Sequence, residues 1–241
     1  MKKTAFITGG AKRIGLEICQ YFIDQNINVA LHYNSSFEKA QNAQMKFGSK
    51  CKIFQANLEE TQNAISAFKE AQKHFGKIDF LINNASIFKQ NSIQNITLQE
   101  FERDFSIHLK TPLFLIQEFA KQNFQNEEGL IVNILDKNII RKNSKYVSYL
   151  LSKKSLDELT RFAAFELAPK IRVNSISPGF IIPEETTQIN QTEYLEQKLK
   201  TIPLKRKGTI QDIVQALDFL IKSNYINGIN INVDGGSFLF D

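Results

Sequence analysis

Seven short apolar runs, separated by longer stretches of helical period, leave this chain few ways to fold. The runs are TAFIT (4–8), NVALHY (28–33), KIFQA (52–56), IDFLI (78–82), LIVNIL (130–135), IRVNSI (171–176) and ININV (229–233). Helical patterns fall between them, near 14–25, 37–47, 61–75, 98–124, 146–168 and 210–222. A continuously apolar strand is one covered on both faces, and an intervening helix supplies the crossover that parallel pairing needs. The pattern predicts an α/β architecture, a parallel sheet flanked by helices on both faces. At 241 residues the chain suits one such domain, 1–241, without requiring a second.

Composition narrows the function classes. With 42% hydrophobic and 23% charged residues the chain reads as a globular protein. Cys19 and Cys51 form no C-x-x-C pattern and read as buried thiols of a reducing, cytoplasmic environment. The N-terminal apolar stretch, Ala5 to Ile7, is too short for a signal peptide. No run approaches the roughly 18 apolar residues of a membrane span. The net charge of +5 comes from scattered Lys and Arg, which points to a solvated surface and an anionic small ligand rather than nucleic acid. No His, Cys, Asp or Glu grouping has metal-ligand spacing, so no metal is expected.

The first strand runs into TGGAKRIG, Thr8 to Gly15, and then into an amphipathic helix. Gly9 and Gly10 permit a tight turn, and the helix N-terminus offers N–H groups and a positive dipole end to a pyrophosphate. The turn is not a Walker A loop, because Leu16-Glu17 stand where Lys-Ser/Thr would be needed. NAD sites usually end their second strand on an acid that holds the ribose 2′-hydroxyl. This strand ends LHYNSS with no acid, while Lys12, Arg13, Asn34, Ser35 and Ser36 offer charge and donors to a 2′-phosphate. NADPH is therefore expected.

Tyr149 and Lys153 lie four apart in a helical pattern and share a face. An ammonium beside a phenol favours the phenolate, which predicts a Tyr149 pKa below its ordinary value of about 10. Such a tyrosine can exchange a proton with substrate while a nicotinamide exchanges hydride. The fifth apolar run ends on an acid, Asp136, thirteen residues before Tyr149. The irregular segment near 178–208, which follows the sixth run, is a candidate substrate cover.

TGGAKRIG, NNAS (83–86), Y-x-x-x-K (149–153), PGF (178–180) and VDGG (233–236) occur in order and together resemble the short-chain dehydrogenase/reductase family. The resemblance implies a Rossmann-like, doubly wound sheet of seven parallel strands in the order 3-2-1-4-5-6-7, and commonly a homotetramer. It implies Tyr149 as proton donor and Lys153 on the nicotinamide ribose. It also assigns Gly9, Lys12, Arg13, Ile14, Tyr33, Asn34, Ser35, Ser36, Asn57, Leu58, Asn84, Ala85, Ser86, Pro178 and Gly179 to the cofactor site.

Four positions depart from the common pattern. Asp136 stands where a catalytic Ser is usual, Arg13 where the turn has its middle Gly, His108 where an Asn precedes Pro112 by four, and Asn57 where an acid precedes Leu58. Asp for Ser and Arg for Gly resemble the pteridine reductases, and His for Asn resembles the bacterial dihydromonapterin reductase branch. By that resemblance Phe88 stacks on the pterin ring, Asp136 and Tyr149 meet its reacting edge, and Ser86 and Arg13 bond its polar edge or the adjacent cofactor phosphates. The chemistry agrees: a flat heteroaromatic ring wants an aromatic platform, and a carboxyl can pass a proton or bond several donors. Structural roles stay open beside these: Asp136 as a loop acid, Phe88 as core, His108 as a satisfied core histidine. The leading expectation is NADPH-dependent reduction of a dihydropterin. The alternatives are a carbonyl reductase acting on a 3-oxoacyl thioester or other ketone, and a non-catalytic NADPH-binding protein. The terminal Phe238, Leu239 and Phe240 suit a subunit contact or a fold-back over the site.

Overall fold

The structure, a computed structural model, describes residues 2–122, 124, 129–140, 145–181 and 192–240. Seven strands form one sheet in the order β3-β2-β1-β4-β5-β6-β7. They are β1 (Thr4–Ile7), β2 (Asn28–Tyr33), β3 (Cys51–Gln55), β4 (Phe80–Asn83), β5 (Gly129–Ile134), β6 (Ile171–Pro178) and β7 (Asn230–Val233). Every pairing is parallel. The helices are α1 (Arg13–Asp24), α2 (Phe37–Phe47), α3 (Thr61–Phe75), α4 (Leu98–Phe105), α5 (Thr111–Ala120), α6 (Val147–Leu167), α7 (Thr192–Lys200) and α8 (Ile210–Lys222).

The continuously apolar strands divide their side chains by the two-residue pleat. Ala5, Ile7, Phe80, Ile82, Leu130 and Val132 face one way and pack with Ile18 and Phe22 of α1, Ala43 of α2 and Leu217 of α8. Phe6, Leu81 and Ile131 face the other way and pack with Phe68 of α3, Phe119 of α5 and Ala163 of α6. The sheet is thus sealed on both sides, as the apolar runs require. Strand order reverses between β1 and β4, and in such sheets a crevice opens beyond the strands' C-terminal ends at that point.

Two elements differ from expectation. The single helix expected over 98–124 is split by a π-turn, Ser106–Lys110, between α4 and α5. Pro112 accounts for it: proline has no N–H to close an α-turn on the carbonyl of His108, four residues back, and its ring crowds that carbonyl. Within the expected cover over 178–208 lies a regular helix, α7, while 182–191 fall outside the described residues. Among the described residues no helix is long and apolar enough to cross a membrane. No group of three or more His, Cys, Asp or Glu among them is placed to hold a metal ion. Both cysteines are buried free thiols.

Candidate active site

The turn after β1 is built for close approach. Gly9 has φ +65°, and a Cβ on Gly15 would sit 2.2 Å from the Gly9 carbonyl oxygen. Asn84, just past β4, donates its side-chain amide to the carbonyls of Thr8 (2.9 Å) and Gly9 (3.2 Å). Thr8 Oγ1 accepts from the N–H groups of Asn84 (2.9 Å) and Ala85 (3.0 Å). The N-N-A-S motif therefore ties β4 to the first turn. Buried His32 does the same from β2, where its Nδ1 accepts from the Gly9 N–H (3.1 Å) and its Nε2–H donates to the Ala56 carbonyl (3.0 Å). Burial holds its pKa down at about 4, so it is neutral at working pH. His32 is thus a second prop of the turn, beside Asn84.

No side chain caps the start of α1 at Lys12, and its first turn holds no acid. The free N–H groups of a helix start suit an anionic group. These close-approach glycines and the uncapped helix fit a dinucleotide pyrophosphate. Arg13 sits at φ +52°, a left-handed conformation that explains why the position usually carries Gly. Lys12 and Arg13 line a cleft of about 800 Å³ with Lys39, Lys46 and Lys207, against one acid, Glu17. Asn34 and Ser35 are exposed at the end of β2, Ser36 is half-buried, and Tyr33 is buried. Lys39, three residues past Ser36 on α2, is a cation the sequence reading missed. Arg13 was expected at the cofactor phosphates or the substrate's polar edge, and its place in this cleft favours the phosphates.

Asn57 Oδ1 accepts from the Glu59 N–H (3.1 Å), which closes a local turn. Leu58 is buried, and its carbonyl accepts from Thr111 Oγ1 (2.7 Å). Ile14 is half-buried at the first turn of α1. At the far side Pro178 pairs with Val233, and a Cβ on Gly179 would sit 2.5 Å from the Cα of Asp234.

Beyond β5 the expected catalytic residues converge. Tyr149 Oη donates to Asp136 Oδ2 (2.9 Å). The other oxygen of Asp136 accepts from the backbone N–H and side-chain amide of Asn138, both at 2.7 Å. Lys153 Nζ donates to the Ile134 carbonyl (2.6 Å) one helical turn from Tyr149. Asp136 is thus held against Tyr149 and is not a solvated loop acid. The expected direction for Tyr149 is corrected: its pKa lies well above the ordinary value, because burial and then the Asp136 carboxylate oppose the phenolate. Burial lowers Lys153 to about 8, with Asp136 pulling the other way. The buried pair is therefore a protonated phenol beside a readily deprotonated amine.

Phe88 is 56% exposed and so is not core. Its ring stacks on Tyr146 (centroids 4.2 Å, 13°) and meets Tyr149 edge to face (4.8 Å, 82°). Tyr146, three residues before Tyr149, was missed; no periodicity singles it out. Buried His108 faces Tyr149 edge-on at 5.3 Å and meets the Ser86 hydroxyl and the Ile87 N–H. A cavity of about 10 Å³, near the lower limit for one water, lies between His108, Lys153, Thr8 and Thr111. The described tail runs beside this site. Ser237 is buried and accepts from Lys137, the residue after Asp136, while Phe238 and Leu239 stay partly exposed.

A sequence profile described as Enoyl-(Acyl carrier protein) reductase matches residues 9–237. The 3-oxoacyl-[acyl-carrier-protein] reductase FabG of Staphylococcus epidermidis is 32% identical, over 99% of this chain and 100% of its own length. The crystal structure of FolM alternative dihydrofolate reductase 1 from Brucella canis, complexed with NADP, superposes with a TM-score of 0.90. It is also 32% identical, over 98% of this chain and 94% of that one. The Brucella suis protein of the same name, in complex with NADP, gives the same TM-score and identity. Motifs, strand order and near full-length matches agree: the chain is an oxidoreductase that belongs to the short-chain dehydrogenase/reductase family.

Proposed function

We propose that the protein is an NADPH-dependent pteridine reductase that converts a dihydropterin, of the dihydromonapterin, dihydrobiopterin or dihydrofolate type, to the tetrahydro form. The observation that carries this reading is the 2.9 Å bond from Tyr149 Oη to Asp136, at the position where relatives commonly keep a serine. A serine hydroxyl chiefly orients a carbonyl, whereas a carboxylate accepts from the ring N–H and amino groups of a pterin and can carry a proton. The exposed face of Phe88 offers the flat substrate a platform. The solved relatives named alternative dihydrofolate reductases, both holding NADP, support it.

The cofactor would lie on Gly9, Ile14, Asn84, Ala85 and Gly179, with Lys12, Arg13, Ser35, Ser36 and Lys39 toward its 2′-phosphate. When bound it supplies the hydride. Lys153 would hold the nicotinamide ribose. Tyr149 is kept protonated by burial and by Asp136, and it gives its proton to the reduced substrate atom. Asp136 accepts the substrate's N–H edge, and the proton that Tyr149 gives up is replaced from solvent, passed on through Asp136. We propose further that 1–241 acts as one catalytic unit, covered near 178–208, in a cytoplasmic homotetramer or dimer with no nucleic-acid or membrane partner.

A second reading, reduction of a 3-oxoacyl thioester, is favoured by the FabG relatives and opposed by Asp136. The test follows NADPH oxidation with dihydromonapterin, dihydrobiopterin, dihydrofolate and acetoacetyl-CoA in parallel. Pterin turnover is expected, with Asp136→Ser lowering its kcat/KM at least tenfold. Turnover of acetoacetyl-CoA alone would overturn the pterin reading, and NADPH binding without any turnover would leave a non-catalytic binding protein.

A further inference from the structure

His108 has no part in the proton route above, yet it is 1% exposed and hydrogen-bonded at both ring nitrogens. Its neighbours fix its tautomer. The Ile87 N–H points at Nε2 (3.2 Å), so Nε2 bears no hydrogen and acts as acceptor. The hydroxyl of Ser86 lies 3.1 Å from the same nitrogen. On the other side Nδ1 lies 3.0 Å from Ser152 Oγ, whose own proton is donated to the Tyr149 carbonyl (2.7 Å). Ser152 must therefore accept from Nδ1–H. The ring is a neutral Nδ1–H imidazole, the opposite tautomer to His32. Burial, then Lys153, then Arg103, oppose a second proton on it. The π-turn at Ser106–Lys110 places it between the loop after β4 and helix α6.

We propose that His108 is a positioning residue: it clamps the Ser86–Phe88 segment to helix α6 through Ser152, and so sets the platform ring of Phe88 against Tyr149. The proposal rests on the reading of Phe88 as the substrate platform. One nitrogen grips the backbone that carries Phe88, and the other grips Ser152, in the second turn of the helix that carries Tyr149. The 4.8 Å edge-to-face contact of Phe88 with Tyr149 is the distance this clamp maintains. An Asn at 108, the residue common at this position, can stand in for Nδ1 toward Ser152 but is too short to reach the Ile87 N–H beside Phe88. A Gln reaches as far as Nε2 and can still accept from Ile87.

The test uses the full chain with NADPH and whichever substrate the wild type turns over, so that a failure of the pterin assignment does not decide it. In His108→Ala the substrate KM is expected to rise at least tenfold, with the Kd for NADPH within twofold of wild type. His108→Gln should restore most of the KM, and His108→Asn should not. Nitrogen-15 NMR of histidine-labelled protein should show, beside the exposed His74, a neutral Nδ1–H ring from His108 and a neutral Nε2–H ring from His32, the Nδ1–H ring missing from the His108→Gln spectrum. An unchanged KM in folded His108→Ala, equal behaviour of the Gln and Asn variants, or an Nε2–H tautomer at 108 would each overturn the clamp. If His108→Ala does not fold, the Gln and Asn comparison and the tautomer still decide.

Discussion

At the scale of single residues, Asp136 acts on two neighbours in ways a pH profile separates. It raises the pKa of Tyr149, supporting the protonated donor, and it raises that of Lys153, partly offsetting burial. Lys153 loses its ammonium as pH rises through about 8, so kcat/KM is expected to fall on that alkaline side. Asp136→Asn removes the support and should move the falling limb to lower pH; a limb that stays in place or moves upward would contradict the coupling. Stability runs the opposite way. The folded pKa of Lys153 lies below its unfolded value of about 10.4, so the cost of burying the ammonium is full below pH 8 and is relieved as pH rises toward 10.4. The Tyr/Lys spacing was legible because four residues make one helical face. The direction of the Tyr149 shift was not, because burial and a carboxylate thirteen residues away outweigh the ammonium only once the chain is folded.

Among the elements, the phosphate turn carries a conflict that can be measured. Arg13 holds a left-handed conformation that costs a non-glycine residue about 1 kcal/mol, while its charge lines the basic cleft. Arg13→Gly should therefore leave the melting temperature unchanged or raised, yet weaken NADPH at least tenfold and NADH much less. A drop in stability, or equal weakening of both cofactors, would show that Arg13 is not held for the 2′-phosphate. Strands and most helices were legible to within a residue or two: α3 and α8 fall on the expected 61–75 and 210–222. The π-turn was not, since helical periodicity runs on through it, although Pro112 was a usable signal. Helix α7 was hidden because a polar Thr-, Gln- and Glu-rich stretch shows little apolar periodicity. Likewise Lys39 and Tyr146 join the site only through the packing of α2 and the stacking of rings.

At the scale of the whole molecule, several large apolar side chains stand exposed near the end of α6 and in the elements that follow it. Phe165 on α6 is 89% exposed and Tyr225 is fully exposed. The 225–229 turn lies against that end of α6, where Asn227 Nδ2 donates to the Ala164 carbonyl (2.8 Å). Ile229 and Phe219 are also open. Exposed apolar area of this kind marks a contact surface, in keeping with the proposed homo-oligomer. Phe165→Glu is expected to lower the mass measured by light scattering to that of a smaller species, with the fold retained by circular dichroism. A wild type already running as a monomer would rule the assembly out. The sheet bears on one more matter. Residues that seal its two faces, such as Phe6, Phe22, Phe68 and Phe119, do not overlap with those at its C-terminal rim, such as Phe88, His108, Asp136 and Tyr149. Framework and selectivity are written in separate vocabularies. A lineage can redraft the rim while the scaffold persists, and relatives named for a 3-oxoacyl carrier protein and for a dihydrofolate both stand 32% identical to this chain.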